Sequence, residues 1–296
     1  MSKITKQQLK SYLWESANIL RGKIDSGDFK HYILGMLFFK RLSDVFDEEY
    51  ERLKDRVGED LALDKEMYAD VFFIPPGCHW NDILSTSVNI GAKINEVFAS
   101  VTTANAPRLN GILDKIDFND KDKLTDAAMS DLVNHFNVHK LGNEQITGDM
   151  LGDAYEYLIA QFADDAGKKG GEFYTPQKVV ELLVEILKPQ EGQSIYDPAC
   201  GSGGILVTAA QYIKAKGQDD RKVFLYGQES VYATYILAKM NMILHGYNDA
   251  KVERGDTFME PKHLSDGSLI KFDNVMANPP WNLDDWMHST QTVGGK

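Results

Sequence analysis

Residues 277–282, ANPPWN, set an amide beside two adjacent prolines and an indole. Neither proline can donate to a sheet, so a strand running through FDNVM (272–276) must end before them. In open α/β sheets that carboxyl end is where ligands bind. The chemistry this group suits is activation of a planar amine. An exocyclic NH2 conjugated with a ring is a poor nucleophile, because its lone pair is delocalised. Hydrogen bonds from it to two fixed acceptors favour a pyramidal, more nucleophilic nitrogen. The Asn278 side-chain oxygen and the Pro279 carbonyl are such acceptors, preorganised by the fixed φ of Pro279 and Pro280. Trp281 offers a face for stacking an extruded base; by itself it reads as well as a core aromatic. With proline near ~5% of residues, an Asn/Asp/Ser-Pro-Pro-aromatic pattern arises in on the order of 1% of random chains of this length. The other Pro-Pro pair, in FFIPPGCHW (72–80), has flanks that suggest only a turn.

Three further strand ends carry candidate contacts. DPACGSGG (197–204) follows a short strand, and its glycines let backbone approach a ligand closely; alone it reads equally as a tight turn. Glu229 ends the next strand, where an acid accepts from both hydroxyls of a ribose, although a lone Glu is usually an exposed loop acid. The pair together points to an adenosine-containing ligand. Asp256, in RGDTF, ends a third strand and could accept from an adenine amine, or serve only as a turn or cap residue. Upstream, GGEFYTPQKVVELL (170–183) reads as a helix with Thr175 as N-cap and Pro176 at its first position. A helix N-terminus favours a carboxylate, and the Tyr174 ring could pack over a ligand; alone, the segment is an ordinary capped helix.

The elements that must position these residues fall into two parts. Residues 1–165 read as helical. Thr5 to Gln8 matches a capping box, followed by Leu9, Leu13, Ala17 and Leu20 at helical spacing. Helices are expected over 29–53, 89–99, 121–137 and 147–163, with no strand before residue 190. After the glycine- and charge-rich connection at 163–176, strand and helix alternate: helix 179–187, then strands near 194, 222–230, 250–256 and 272–280, separated by helices 205–217 and 231–246. Residues 166–296 are therefore expected to form an α/β domain, a doubly wound parallel sheet, behind an all-α N-terminal domain. The chain has 296 residues and 43% hydrophobic content, enough for a sizeable core. Its net charge of −12 argues against a broad basic face gripping nucleic acid unaided. A local groove or a partner could still supply that affinity. Two cysteines, Cys78 and Cys200, exclude a disulfide framework and a zinc spacing, which fits a reduced, cytoplasmic setting. The greasiest run, YILGMLFF (32–39), is too short for a membrane span and reads as a buried helix.

The order of these motifs resembles that of S-adenosylmethionine-dependent N6-adenine DNA methyltransferases. It is most similar to the modification subunits of type I restriction–modification systems, and the likeness covers nearly the whole chain. The resemblance implies a Rossmann-like methyltransferase sheet. Glu172, Phe173, Tyr174, Thr175, Pro176 and Gln177 would hold the methionine end of S-adenosylmethionine. Asp197 and Gly201, Ser202, Gly203 and Gly204 would cradle its amino-acid portion, Glu229 would bind the ribose, and Asp256 the adenine. Asn278, Pro279, Pro280 and Trp281 would hold a flipped target adenine for direct in-line transfer, with no metal and no covalent intermediate. The implied partners are DNA, a specificity subunit that reads it, a second modification subunit and a motor-nuclease restriction subunit.

Only 15 residues follow Trp281, whereas the family's sheet continues with further strands and a C-terminal helical region. The chain thus reads as truncated or as part of a longer protein. On that expectation the sheet is incomplete, has an exposed apolar face and supports little activity alone. Rival readings are an assembly scaffold without catalysis and a protein-glutamine methyltransferase, whose active site shares the NPP-aromatic pattern but which fits GGEFYTP poorly. A dehydrogenase explains neither motif.

Overall fold

A computed structural model describes residues 4–21, 24, 26–121, 124–165 and 175–280. The first part is helical: α1 (Lys6–Leu20), α2 (Ser26–Val57), α3 (Glu59–Ala62), α4 (Trp80–Leu84), α5 (Ile90–Ala104), α6 (Asp126–Asn137) and α7 (Gly148–Asp165). The capping box is formed as expected. Thr5 Oγ1 accepts from Gln8 N at 3.3 Å, and Gln8 Oε1 accepts from Thr5 N at 2.9 Å. The apolar run of α2 is buried, with Ile33, Leu34, Met36, Leu37, Phe38 and Phe39 closed to solvent. Among the described residues no helix is long and apolar enough to cross a membrane.

The second part alternates: α8 (Gln177–Leu187), β1 (Ser194–Asp197), α9 (Gly204–Ala215), β2 (Phe224–Glu229), α10 (Tyr232–Leu244), β3 (Lys251–Arg254), β4 (Leu264–Ser265), β5 (Ser268–Leu269) and β6 (Asn274–Val275). The main sheet is parallel, in the order β3-β2-β1-β6. From β1 the chain steps outward to β2 and β3, then returns to the other side of β1 at β6. The order reverses at β1, which opens a crevice at the carboxyl ends of β1 and β6. The four strands lie where the alternation placed them, but β3 stops at Arg254 and β6 is only two residues long.

One element was not anticipated. The antiparallel pair β4–β5 closes over Asp266 and Gly267, both at positive φ (51° and 75°), as a two-residue hairpin turn requires. His263 ties it down, its Nε2 2.9 Å from the Gly227 carbonyl.

The helical core does not stop at the sheet. Ile236, Leu237, Met240 and Leu244 of α10 are buried in the same cluster as the residues of α1 to α7, and α7 packs on α1, α2 and α10. The opposite side of α10 contributes Ala238 and Met242 to the core around the sheet. On α8, Val180 and Val184 face that core, while Val179, Leu182 and Ile186 are exposed.

Candidate active site

The crevice at the reversal point collects several of the sequence-derived residues. Its walls include Thr175, Gln177, Asp197, Gly201, Ser202, Gly204 and Asn278. β1 delivers Asp197, the loop after it wraps the floor, and the segment after β6 delivers Asn278. Met276 N still donates to Tyr196 O at 2.9 Å, so pairing persists to the residue before Ala277 and fixes where Asn278 emerges.

Asp197 is fully buried. Its Oδ1 accepts from Ala199 N at 3.0 Å, whereas Oδ2 has no partner. Burial pushes its carboxyl up to about 7, against the Ala199 N–H, which favours ionisation; the Glu229 carboxylate pushes it further upward. Glu229 is nearly buried and bridges two loops. Oε2 accepts from Gly201 N at 3.0 Å and Oε1 from Val231 N at 2.7 Å. Burial raises its carboxyl above the usual range, and the Val231 and Gly201 N–H groups oppose the rise. Ser230 adds its own backbone and side-chain hydrogen bonds, so the carboxylate is firmly oriented by the loop that follows β2.

The glycine loop is shaped by close packing. Gly203 sits at φ 83°, and a Cβ there would lie 2.8 Å from Met242 Cε. Gly203→Ala therefore meets both a strained backbone and a clash. It is expected to lower unfolding free energy by about 1–3 kcal/mol, read as a lower denaturant midpoint; a midpoint equal to the parent's would refute the packing account.

Thr175 departs from its sequence assignment. Pro176, not Thr175, is the N-cap of α8: its carbonyl accepts from Val179 N at 2.8 Å and Val180 N at 3.2 Å. The Thr175 hydroxyl instead accepts from Asn278 Nδ2 at 3.1 Å, joining the segment before α8 to the NPP segment across the crevice. Gln177 Nε2 donates to Thr208 Oγ1 at 3.3 Å and so ties α8 to α9. Asp256 lies two residues past β3, is exposed, and does not line the crevice. Its Oδ1 accepts from Phe258 N at 2.8 Å and Met259 N at 3.0 Å, the turn-forming role weighed for it from sequence. Pro279 and Pro280 follow Asn278 in exposed backbone. Glu172, Phe173, Tyr174 and Trp281 lie outside the described residues.

The sequence reading missed Glu156. It comes from α7, lines the crevice, and accepts from Asn241 Nδ2 at 3.3 Å through Oε1. Burial raises its carboxyl above the usual range. Asn241 also donates to Ser202 O at 3.0 Å, so α7, α10 and the glycine loop meet at one amide. Nothing in the helical spacing of DAYEYLIAQF separates Glu156 from an ordinary flank acid.

The strand order, the glycine turn after β1 and the acid ending β2 define a Rossmann-like domain. Comparison with known proteins carries this to a family. The model of the N-6 DNA Methylase family matches residues 146–295, and that of the HsdM N-terminal domain matches residues 9–136. The chain is 31% identical to the type I restriction enzyme MjaIX methylase subunit of Methanocaldococcus jannaschii, over 94% of this chain and 52% of that protein. It is 30% identical to the MpnII methylase subunit of Mycoplasma pneumoniae, over 92% and 57% respectively. Its fold is similar to the crystal structure of the type I restriction-modification system methyltransferase subunit from Streptococcus thermophilus, with a TM-score of 0.74 and 32% identity, over 93% of this chain and 63% of that one. The chain belongs to the N-6 DNA methylase family, among the methylase subunits of type I restriction enzymes. It spans about half the length of the curated relatives it matches.

Proposed function

We propose that this chain is the methylating subunit of a type I restriction–modification complex, binding S-adenosylmethionine in the crevice and methylating N6 of a flipped DNA adenine. The observation that carries the reading is the crevice itself. A buried carboxylate with an unpaired oxygen, a glycine loop and the amide of an NPP segment converge where the strand order reverses.

The residues fit the cofactor. The unpaired Asp197 Oδ2 suits the cationic amino group of a methionine moiety, and Gly201, Gly203 and Gly204 carry no side chain that would hold a ligand off the backbone. Glu229, steadied by Gly201 and Val231, suits a ribose diol. When bound, S-adenosylmethionine supplies an electrophilic methyl group on a sulfonium. The protein's part is positioning. Asn278 is held through its Nδ2 by Thr175, and its carbonyl oxygen, with that of Pro279, accepts from the target amine and makes the nitrogen more nucleophilic. The nitrogen sheds its proton after methylation, so no strong general base is required. A specificity subunit that reads DNA and a second modification subunit would complete the enzyme, and a motor-nuclease subunit would add restriction. Such partners account for an acidic chain acting on DNA, in the cytoplasm.

Calorimetry with S-adenosylmethionine tests this. In the ligand-free protein the Asp197 carboxyl lies near 7, above its unfolded value, so its contribution to stability is present below about 4 and lost as pH rises to 7. Pairing with an ammonium reverses the preference and requires the ionised form. Affinity should therefore rise by up to about tenfold per pH unit between 5 and 7. Asp197→Asn should bind weakly, with no such slope. A folded chain that fails to bind at any pH, or an Asp197→Asn variant with the parent's affinity and slope, overturns the reading.

A further inference from the structure

Behind the crevice, Asp153 and Glu156 of α7 face His245, the residue that caps α10. One ligand atom from each lies within 4.8 Å of the others. The imidazole is 6% exposed, and its Nδ1 is 3.0 Å from Asn241 O. A carbonyl only accepts, so Nδ1 carries the hydrogen and Nε2 of the neutral ring carries a lone pair. That Nε2 is buried and meets no hydrogen-bond partner. The ring edge bearing it presses on α7 at Gly152, where a Cβ would come within 2.3 Å of both Nε2 and Cε1. Glycine at 152 is thus what lets the imidazole reach the two carboxylates.

The three groups turned toward one another are all acceptors: Glu156 takes a hydrogen bond from Asn241, Asp153 from Lys6 and Gln211, and Nε2 takes none. A cation resolves this arrangement. No carboxylate oxygen makes a hydrogen bond to Nε2, and the three donor atoms, within 4.8 Å of one another, would need to draw in around one ion to reach bonds of about 2.0–2.2 Å. A histidine whose Nδ1–H is fixed by a backbone carbonyl is also the usual form of a metal-ligating imidazole. We infer that Asp153, Glu156 and His245 form a binding site for a divalent first-row transition ion of the Zn2+ type. One imidazole with two carboxylates favours such an ion over Ca2+, which takes oxygen ligands. Lys6 is the competitor. Its Nζ lies 2.5 Å from Asp153 Oδ2, and its side chain is 54% exposed, so it can turn to water when the ion enters. Gln211 Nε2 makes a long contact, 3.5 Å, with the other Asp153 oxygen. The ion would clamp α7 to the end of α10, one hydrogen bond from the amide that holds Ser202. The inference does not depend on what the crevice binds.

The test is titration of the chelator-stripped 296-residue chain with Co2+, followed by its visible absorption and by displacement with Zn2+. The parent should saturate at one equivalent, with a Zn2+-dependent rise in melting temperature. His245→Phe, which keeps a ring against Tyr247, should lose the band and the rise. Glu156→Gln should bind about tenfold more weakly or worse, and Lys6→Ala should bind more tightly. No saturable binding by the folded parent overturns the site, as does a His245→Phe titration equal to the parent's. Should His245→Phe fail to fold, the other two variants decide: affinities unchanged in both overturn the site, and opposite shifts support it.

Discussion

Asn278→Ala is expected to lower the rate of methyl transfer to DNA by about 10²–10³-fold in the assembled enzyme while leaving S-adenosylmethionine affinity within a factor of a few. The size follows from removing one preorganised acceptor from the reacting nitrogen. The separation of the two effects follows from place. Asp197 and Glu229 belong to β1 and β2 and owe nothing to Asn278, which touches Thr175 across the crevice mouth. Incorporation of labelled methyl into DNA reads the first quantity and calorimetry the second. A variant that transfers at the parent's rate would remove Asn278 from the chemistry. A variant that loses both transfer and binding would make it part of the cofactor pocket instead.

Asp44→Ala is expected to cost about 3–5 kcal/mol of stability, although it lies far along the chain from the crevice residues. Asp44 is almost wholly buried on α2. It accepts from Lys40 Nζ at 2.5 Å and from Leu141 N at 2.7 Å, with Lys140 Nζ at 3.4 Å. Lys40 is closed to solvent beneath the Trp80 ring, 5.3 Å from its centroid. Removing the carboxylate strands a buried ammonium, whose pKa burial already lowers, and strands the Leu141 N–H as well. Against a total stability of about 5–15 kcal/mol, most molecules would sit close to unfolding. Replacing both partners, Lys40→Met with Asp44→Leu, should cost less than Asp44→Ala alone, because no charge is left unpaired. Urea unfolding of the two variants tests this. A double variant worse than the single one would mean that the pair is valued for its geometry rather than its charge.

How far the sequence revealed this arrangement depended on how local each signal was. The capping box at Thr5, the buried run in α2 and the strand–loop–helix at 194–215 are written in a few consecutive residues, and all three formed. The β4–β5 hairpin was not read: Asp266-Gly267 is a turn signal, but its two-residue flanks are too short to read as strands. Thr175 misled because a Thr-Pro pair ahead of an apolar helix looks like a cap, whereas its hydroxyl is used by a residue 103 positions away. Asp256 looked like a strand-end ligand because β3 was read two residues too long. Glu156 and His245 were invisible for a physical reason. Neither has a local pattern, and each gains its neighbours only when α7 packs on α10.

The shared core of α10 has a consequence for modularity. One face of this helix completes the hydrophobic cluster of α1 to α7, and the other face covers the sheet. A cut in the connection at 166–174 would leave each piece with half of a buried surface facing water: Leu237 and Met240 on one side, Leu158 and Phe162 on the other. The two parts are distinct in secondary structure but not as folding units. A graft that exchanged the α/β part between relatives would have to bring α7 with it.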